Sequence, residues 1–509
     1  MILFCDFDGT LFRKRIDGDF EKNLVAIQAF RAAGHKFVLT TGRGFASVKR
    51  AFADYEQYVD YLICDNGSVC YAGGEKLFEL TIPEELAREV IDYFYTLPHA
   101  DEFDAIYYRD GEEYDELSGS STKLRLWVVN PEIMDETAPI LEEHFTGRPI
   151  KFCCGHNMRP NTAVHEKLRD YHRGAIDVMS IEAGKDNAIK RIVELNPEER
   201  VFAVGDGGND LPMLLEYDGF IMETANSALR EMFEDERTVD SVSGLIKRLM
   251  VAEDIEKQID VDIMTRSQTF YKDGSTNSVV FDVDKEYLVK ITDRKTVETQ
   301  KLFLETSNNE AFQKLICCNA DLDYECFEFI NGDRFKSGML DANLVIEQVA
   351  RIVDGYAKYP HDGFGFLGHE KASWHDFLLD EIEYAKLRIE NISQDRVMCA
   401  LEVIGDYVPE QRLMHGDFGT HNFLVEVEKI RVIDPMPVVG DKLYDFYFAV
   451  LSNIEVYLRL GKERVFSFFN DYDNEYKQAL FTIALYVRMS RAAVYDVAHL
   501  PDYIRLYEQ

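Results

Sequence analysis

With 509 residues the chain is too long for one compact core and about right for two to four domains of ~100–200 residues. Lys and Arg number 56 against 92 Asp and Glu, and the resulting charge of -36 repels phosphate backbones and anionic membranes, so no nucleic-acid or membrane partner is expected. A hydrophobic content of 46% with only 13 Pro excludes a disordered acidic tail. The nine cysteines, which form no CxxC, are expected to be reduced thiols of a cytoplasmic protein.

The opening run Met1 to Cys5 reads as a buried parallel strand that ends in DFDGT. Two carboxylates in MILFCDFDGTLF stand where a signal peptide needs apolar residues. A helix follows, with Leu24, Ile27 and Phe30 on one face and Gly34 where its C-terminal cap belongs. The strand Lys36 to Thr40 closes in TTGR, and a third strand, Tyr61 to Cys64, closes in DNGS. After a helix beginning near Lys185, the strand Val201 to Val204 closes in GDGGND. This alternation predicts an α/β doubly wound parallel sheet over residues 1–81 and 181–250, with an inserted α/β cap at 82–180. From 251 the pattern changes to a meander of short strands, predicting a small lobe over 251–330 and a mostly helical lobe over 331–509.

Ligands of open α/β sheets bind at the carboxyl ends of the strands, where DFDGT, TTGR, Lys185 and GDGGND all fall. These groups suit phosphoryl transfer through an aspartyl-phosphate. Asp6 is the expected nucleophile, and Asp8 protonates the leaving oxygen and later activates water. Thr41 and Lys185 hold phosphoryl oxygens, while Asp206 and Asp210 complete, with Asp6 and Asp8, a hard oxygen site for Mg²⁺. Capping of helices and turns is the competing use of such acids, but a lysine at a helix start costs roughly 0.3–1 kcal/mol without an anion before it.

These motifs resemble the haloacid dehalogenase superfamily, in particular its Cof-like phosphatases, over about residues 1–250. DNGS (Asn66, Gly67) and Asn209 fit the same pattern, with Arg43 beside Thr41. The resemblance implies that the 82–180 cap selects a small phosphorylated metabolite, with Lys123, Arg125, Lys151, His156 and Arg159 as candidate contacts.

The second half carries HGDFGTHN (His415 to Asn422), then VIDP with Asp434, then GDKLYDF with Asp441 and Asp445. A phosphotransferase loop needs one carboxylate to accept a hydroxyl proton, here Asp417. It also needs an amide and a second carboxylate, here Asn422 and Asp434, to hold Mg²⁺ on nucleotide phosphates. Upstream, Lys290 in the strand YLVKI is expected to meet the α- and β-phosphates. Its expected partner is Glu310 in a helical NNEAFQKLI, with Glu298 and Glu305 as rivals. The turn containing Ser275 would cover the phosphates, and the strand YECFEFINGD would meet adenine near Glu328 and Ile330. Acidic residues at Asp380, Glu381, Glu383, Asp471, Asp473 and Glu475 read as a solvated face or as an acceptor pocket for an aminated sugar, and Trp374 as core.

Residues 260–450 thus resemble the aminoglycoside phosphotransferase and choline-kinase-like branch of the protein-kinase fold. The resemblance implies a two-lobed α+β kinase-like domain using ATP, or GTP, on a small-molecule hydroxyl. The expectation is a bifunctional phosphatase and kinase with small-molecule substrates and Mg²⁺ at both sites. The alternatives are a phosphatase gated by a ligand-sensing kinase-like module, or an end-repair enzyme for nucleic acids. Oligomeric state is left open.

Overall fold

The computed structural model describes residues 1–13, 16–128, 131–156, 174–264, 266–271, 278–389 and 391–509. The chain divides into two compact units, Met1–Met250 and Val251–Gln509.

The N-terminal unit is built on an eight-stranded sheet with Ile2–Asp6 near its centre. That strand is buried throughout, as a run of ILFC covered on both faces requires. It pairs in parallel with Val201–Gly205 on one side and Lys36–Thr40 on the other. Asp218–Met222 and Thr238–Val239 continue the sheet beyond the first; Tyr61–Cys64 continues it beyond the second, and Val69–Ala72 and Glu75–Glu79 close it as antiparallel strands. Gly34, at φ +92°, ends the helix Asp19–Ala32 in the left-handed region where glycine alone is unstrained. The insertion forms a separate antiparallel sheet of five strands, with Lys123–Val128 at its centre and the helices Glu84–Phe94 and Pro131–His144 sharing its apolar core.

The C-terminal unit begins with a five-stranded antiparallel sheet. Its spatial order is Gln268–Tyr271, Val279–Val283, Tyr287–Ile291, Tyr324–Glu328, Leu315–Asn319. The helix Arg294–Thr306 follows the third strand in sequence and is capped by Asp293, which accepts from the Thr296 amide. The expected helix over NNEAFQKLI does not form: residues 307–314 are irregular and lead directly into Leu315–Asn319. Phe312 instead bridges to Val432, an extended pairing that satisfies the backbone without a helix. Beyond Ile330 the unit is mainly helical, with a large core gathered around the helices Ala342–Asp354, Lys442–Leu451 and Asn474–Tyr495. Trp374 lies in that core, as its apolar bulk dictates.

Candidate active sites

In the N-terminal unit the loops after the central strands converge on a nest of carboxylates. Asp6 ends the first strand and is almost fully buried. Lys185, the first residue of its helix, donates to Asp6 Oδ1 at 2.5 Å and to Asp210 Oδ1 at 2.5 Å. Asp210 Oδ2 also accepts from the amides of Asp206 (3.2 Å) and Gly207 (3.0 Å), and Asp206 Oδ1 accepts from Thr10 Oγ1 at 3.2 Å. One oxygen each of Asp6, Asp206 and Asp210 falls within 4.8 Å of the others. Thr41 is buried beside them, its hydroxyl oxygen accepting from the Arg43 amide at 3.1 Å. Two glycines permit this crowding. A Cβ on Gly9, at φ +88°, would stand 2.1 Å from Asp206 Oδ2; one on Gly67, at φ +95°, would stand 2.1 Å from the Gly184 carbonyl oxygen.

The electrostatics carry an unbalanced negative charge. Burial and the neighbouring Asp210 raise the Asp6 carboxyl well above its usual range despite Lys185, and the same two causes push Asp206 up to about 6. Burial opposes the Lys185 charge, but Asp210 and Asp6 outweigh it and raise its pKa. An all-oxygen set of three acids, two of them bonded to one ammonium, fits a hard divalent cation such as Mg²⁺, with Asp6, Asp206 and Asp210 as its holders. Asp8 does not join them. Its half-exposed carboxylate is clasped by Arg43 through Nε and Nη2, both at 2.6 Å, and is not among the acids whose oxygens gather at one point.

In the C-terminal unit the loop after Arg412–Met414 folds over a buried histidine. His415 Nε2 donates to the Ile433 carbonyl at 3.0 Å. Asp445, buried, accepts from the Gly416 amide (3.1 Å) and from Tyr356 Oη (2.9 Å), which anchors the loop from below. Burial pushes Asp445 up to about 7. Asn422 Nδ2 reaches the Asp417 carbonyl (3.0 Å) and carboxylate (3.1 Å), His421 Nε2 lies 2.9 Å from Asp417 Oδ2, and Arg491 Nη1 lies 3.3 Å from Oδ1. Burial works to raise Asp417, but His421 and Arg491 win and hold it well below the carboxylate range, so it is ionised. The Asn422 carbonyl accepts from the Ile433 amide at 3.0 Å, which brings the following residue, Asp434, alongside. Asp434 sits at φ +60°, a strained setting for a non-glycine residue, and its Oδ1 pairs with Lys290. Asn422 and Asp434 between them offer an amide and a carboxylate oxygen, hard donors of the type Mg²⁺ takes.

Residues 3–245 match the family model for the haloacid dehalogenase-like hydrolase. That stretch is a haloacid dehalogenase-like hydrolase domain. Two curated proteins are similar to this domain. The 5-amino-6-(5-phospho-D-ribitylamino)uracil phosphatase YbjI of Escherichia coli is 22% identical over 241 residues, covering 45% of this chain and 87% of the relative. YxeH of Bacillus subtilis is 26% identical over 250 residues, covering 46% and 90%. Among solved structures, SMU.1108c of Streptococcus mutans aligns with 49% of this chain and 98% of its own at 16% identity and a TM-score of 0.40.

Within the haloacid dehalogenase-like domain, two of the expected cap contacts serve the architecture instead. Lys123 is fully buried and donates to Asp65 Oδ1 at 2.7 Å and to the Gly42 carbonyl at 3.0 Å, tying the cap to two core loops. Arg125 donates two buried hydrogen bonds to Asp177, at 2.5 and 2.6 Å, inside the cap sheet. Lys151 is half-buried, its ammonium 3.3 Å from where a Cβ on Gly184 would stand, beside the site. Arg159 and the side chain of His156 lie outside the described residues.

Other corrections fall in the second half. Ser275 lies outside the described residues. Glu310 is not the partner of Lys290; it lies in the irregular segment, in the wall of a cavity of about 960 Å³ with Lys314 and Arg351. Glu298 and Glu305 pair with Arg294 and Lys301 on their own helix. The helix turns Gln300 inward instead, its amide donating to the Pro435 carbonyl at 2.8 Å. Glu328 is occupied: its amide donates to Lys314, its carbonyl accepts from Gln313, and its side chain pairs with Arg431. Ile330, two residues on, is buried. The acidic residues around 380 and 473 are mostly accounted for by Lys371, Lys386 and a helix cap, which leaves Glu381 near Arg491 and Tyr444. Sequence reasoning named Asp445 without a role and missed Gln300, Glu325 and Arg491, none of which sits in a motif that marks it, as well as His421, which lies inside HGDFGTHN but was given no role.

Proposed function

We propose that the chain carries two phosphoryl-transfer activities: a phosphatase acting on a small phosphorylated metabolite in the N-terminal unit, and a nucleotide-dependent kinase for a small-molecule hydroxyl in the C-terminal unit. Phosphatase chemistry rests on the family match together with Asp6, Lys185, Asp206 and Asp210 converging on one point. Asp6 attacks phosphorus and the ester P–O bond breaks; Asp8, two residues on, releases Arg43 and gives the leaving oxygen its proton. Water then releases phosphate from Asp6, with Asp8 taking the proton back. Lys185 neutralises the nucleophile and a phosphoryl oxygen, and Thr41 supplies a hydroxyl. A divalent cation, when bound, offsets repulsion between Asp6 and an anionic substrate. The substrate named for YbjI, a phosphorylated ribityl compound, supports phosphorylated small metabolites as the class.

For the second activity the supporting observation is that Asp417, Asn422, Asp434 and Lys290 assemble although Lys290 and Asp434 are 144 residues apart. Asp417 accepts the proton of the acceptor hydroxyl as it attacks the terminal phosphate of ATP, and Lys290 balances charge on the donor. The kinase reading also accounts for the spatial order of the small sheet and for the single helix before its last two strands.

The test uses two single variants of the full chain. Asp6→Asn should reduce hydrolysis of a generic phosphate monoester by roughly 10³-fold or more while ATP-dependent phosphorylation of screened hydroxyl compounds persists. Asp417→Asn should do the reverse. Loss of both activities in either variant would refute separate sites.

A further inference from the structure

Glu325 is a buried acid without a hydrogen-bond partner. It shows 0% exposure, and neither carboxylate oxygen is bonded. It faces Lys290 directly across the antiparallel pair Tyr287–Ile291 and Tyr324–Glu328. Opposed residues of such a pair share one face of the sheet, their Cβ atoms ~4.5–5.5 Å apart. A carboxylate buried in this way destabilises the fold unless a cation meets it. Burial pushes Glu325 up to about 8, with Lys290 pulling the other way.

The helix that follows Lys290 supplies no alternative acid. Its buried polar residue is Gln300, whose amide nitrogen is held by Pro435 and whose Oε1 is buried and unbonded. The tip of Lys290 is paired with Asp434. Two orphaned acceptors result: Glu325, opposite Lys290, and Gln300 Oε1, on an amide whose Nε2 lies 3.5 Å from the Asp434 oxygen that Lys290 pairs with.

We propose that Glu325 is the positioning residue for Lys290 when a nucleoside triphosphate is bound, taking from a β-strand the counter-charge role that Glu310 was expected to play. The inference rests on the kinase reading of this site. Donor phosphates draw the ammonium away from Asp434; Glu325 then holds it from behind, and Gln300 Oε1 accepts one of its remaining hydrogens. The strain of a solitary buried acid is carried by the nucleotide-free protein and relieved in the complex.

A structural role and a positioning role predict opposite signs, so the test measures both. Full-length protein, Glu325→Gln and Lys290→Met are compared for thermal unfolding without nucleotide and for binding of a non-hydrolysable ATP analogue with Mg²⁺ by calorimetry. Glu325→Gln, the same size and uncharged, should unfold at an equal or higher temperature yet bind the analogue about 10-fold or more weakly. Adding Glu325→Gln to Lys290→Met should cost no further affinity. Far-UV circular dichroism of every variant should match that of the wild type, which verifies folding. Wild-type affinity in Glu325→Gln, or weaker binding accompanied by a lower unfolding temperature, would overturn the inference while leaving the kinase reading intact. Failure of the wild-type protein to bind the analogue at all would overturn both.

Discussion

His415 lies under the loop that carries Asp417, and burial lowers its pKa to about 4. Its Nε2 must keep a proton to donate to the Ile433 carbonyl, so Nδ1, buried and unbonded, is the bare nitrogen of a neutral ring. The folded pKa lies below the unfolded value of about 6.5, so between those limits the unfolded chain binds more protons. Stability contributed by the neutral ring is therefore present above pH about 6.5 and lost as pH falls toward 4, by on the order of 3 kcal/mol when complete. Denaturant unfolding of wild-type protein and His415→Gln, followed between about pH 7.5 and about pH 5, should show the variant losing less stability on acidification. Parallel curves would remove His415 as the cause. At this scale Asp6, Thr41, Lys185, Asp206 and Asp210 were legible because each ends a strand or opens a helix in a recognisable string. Glu325 and Arg491 were not, since a lone acid in a strand and an arginine in a long helix look like ordinary surface residues until their neighbours are known.

Lys123 shows what an element can require of one side chain. It projects from the central cap strand to Asp65, at the end of the core strand Tyr61–Cys64, and both side chains are fully buried. Thr122 adds a bond to the other Asp65 oxygen at 3.0 Å. Removing one partner of a buried pair leaves a bare charge, which costs about 3–5 kcal/mol. Lys123→Met should accordingly lower the unfolding transition of the N-terminal unit by that amount in denaturant titration; a change of under about 1 kcal/mol would mean that the pair does not hold the cap to the core. The alternating strands and helices of this unit could be read from hydrophobic period alone, as could the antiparallel meander after residue 260. The segment around Glu310 could not, because its backbone is satisfied by Val432, more than 100 residues away, rather than by local helical bonds.

Taken whole, the molecule carries a charge of -36, and among its described residues no helix is long and apolar enough to cross a membrane. None of the nine cysteines is bridged in the structure. Self-repulsion at this charge destabilises compact states and is screened by salt over ~10 Å at 0.1 M. Thermal unfolding should therefore shift upward as NaCl rises from about 10 to about 150 mM, and a downward shift would show that surface ion pairs dominate instead. Residue order alone determined which chemical groups this chain possesses, where its strands end, and that two sets of acids, amides and lysines stand at those ends. It could do so because hydrophobic period and turn chemistry act over a few residues. Only the tertiary structure decided which acid meets which cation: Arg43 and not the metal cluster for Asp8, Asp434 and not Glu310 for Lys290, Asp65 and not a substrate for Lys123. Those choices depend on distance and burial between residues far apart in the chain, and Coulomb attraction and desolvation have no value until the fold has fixed both.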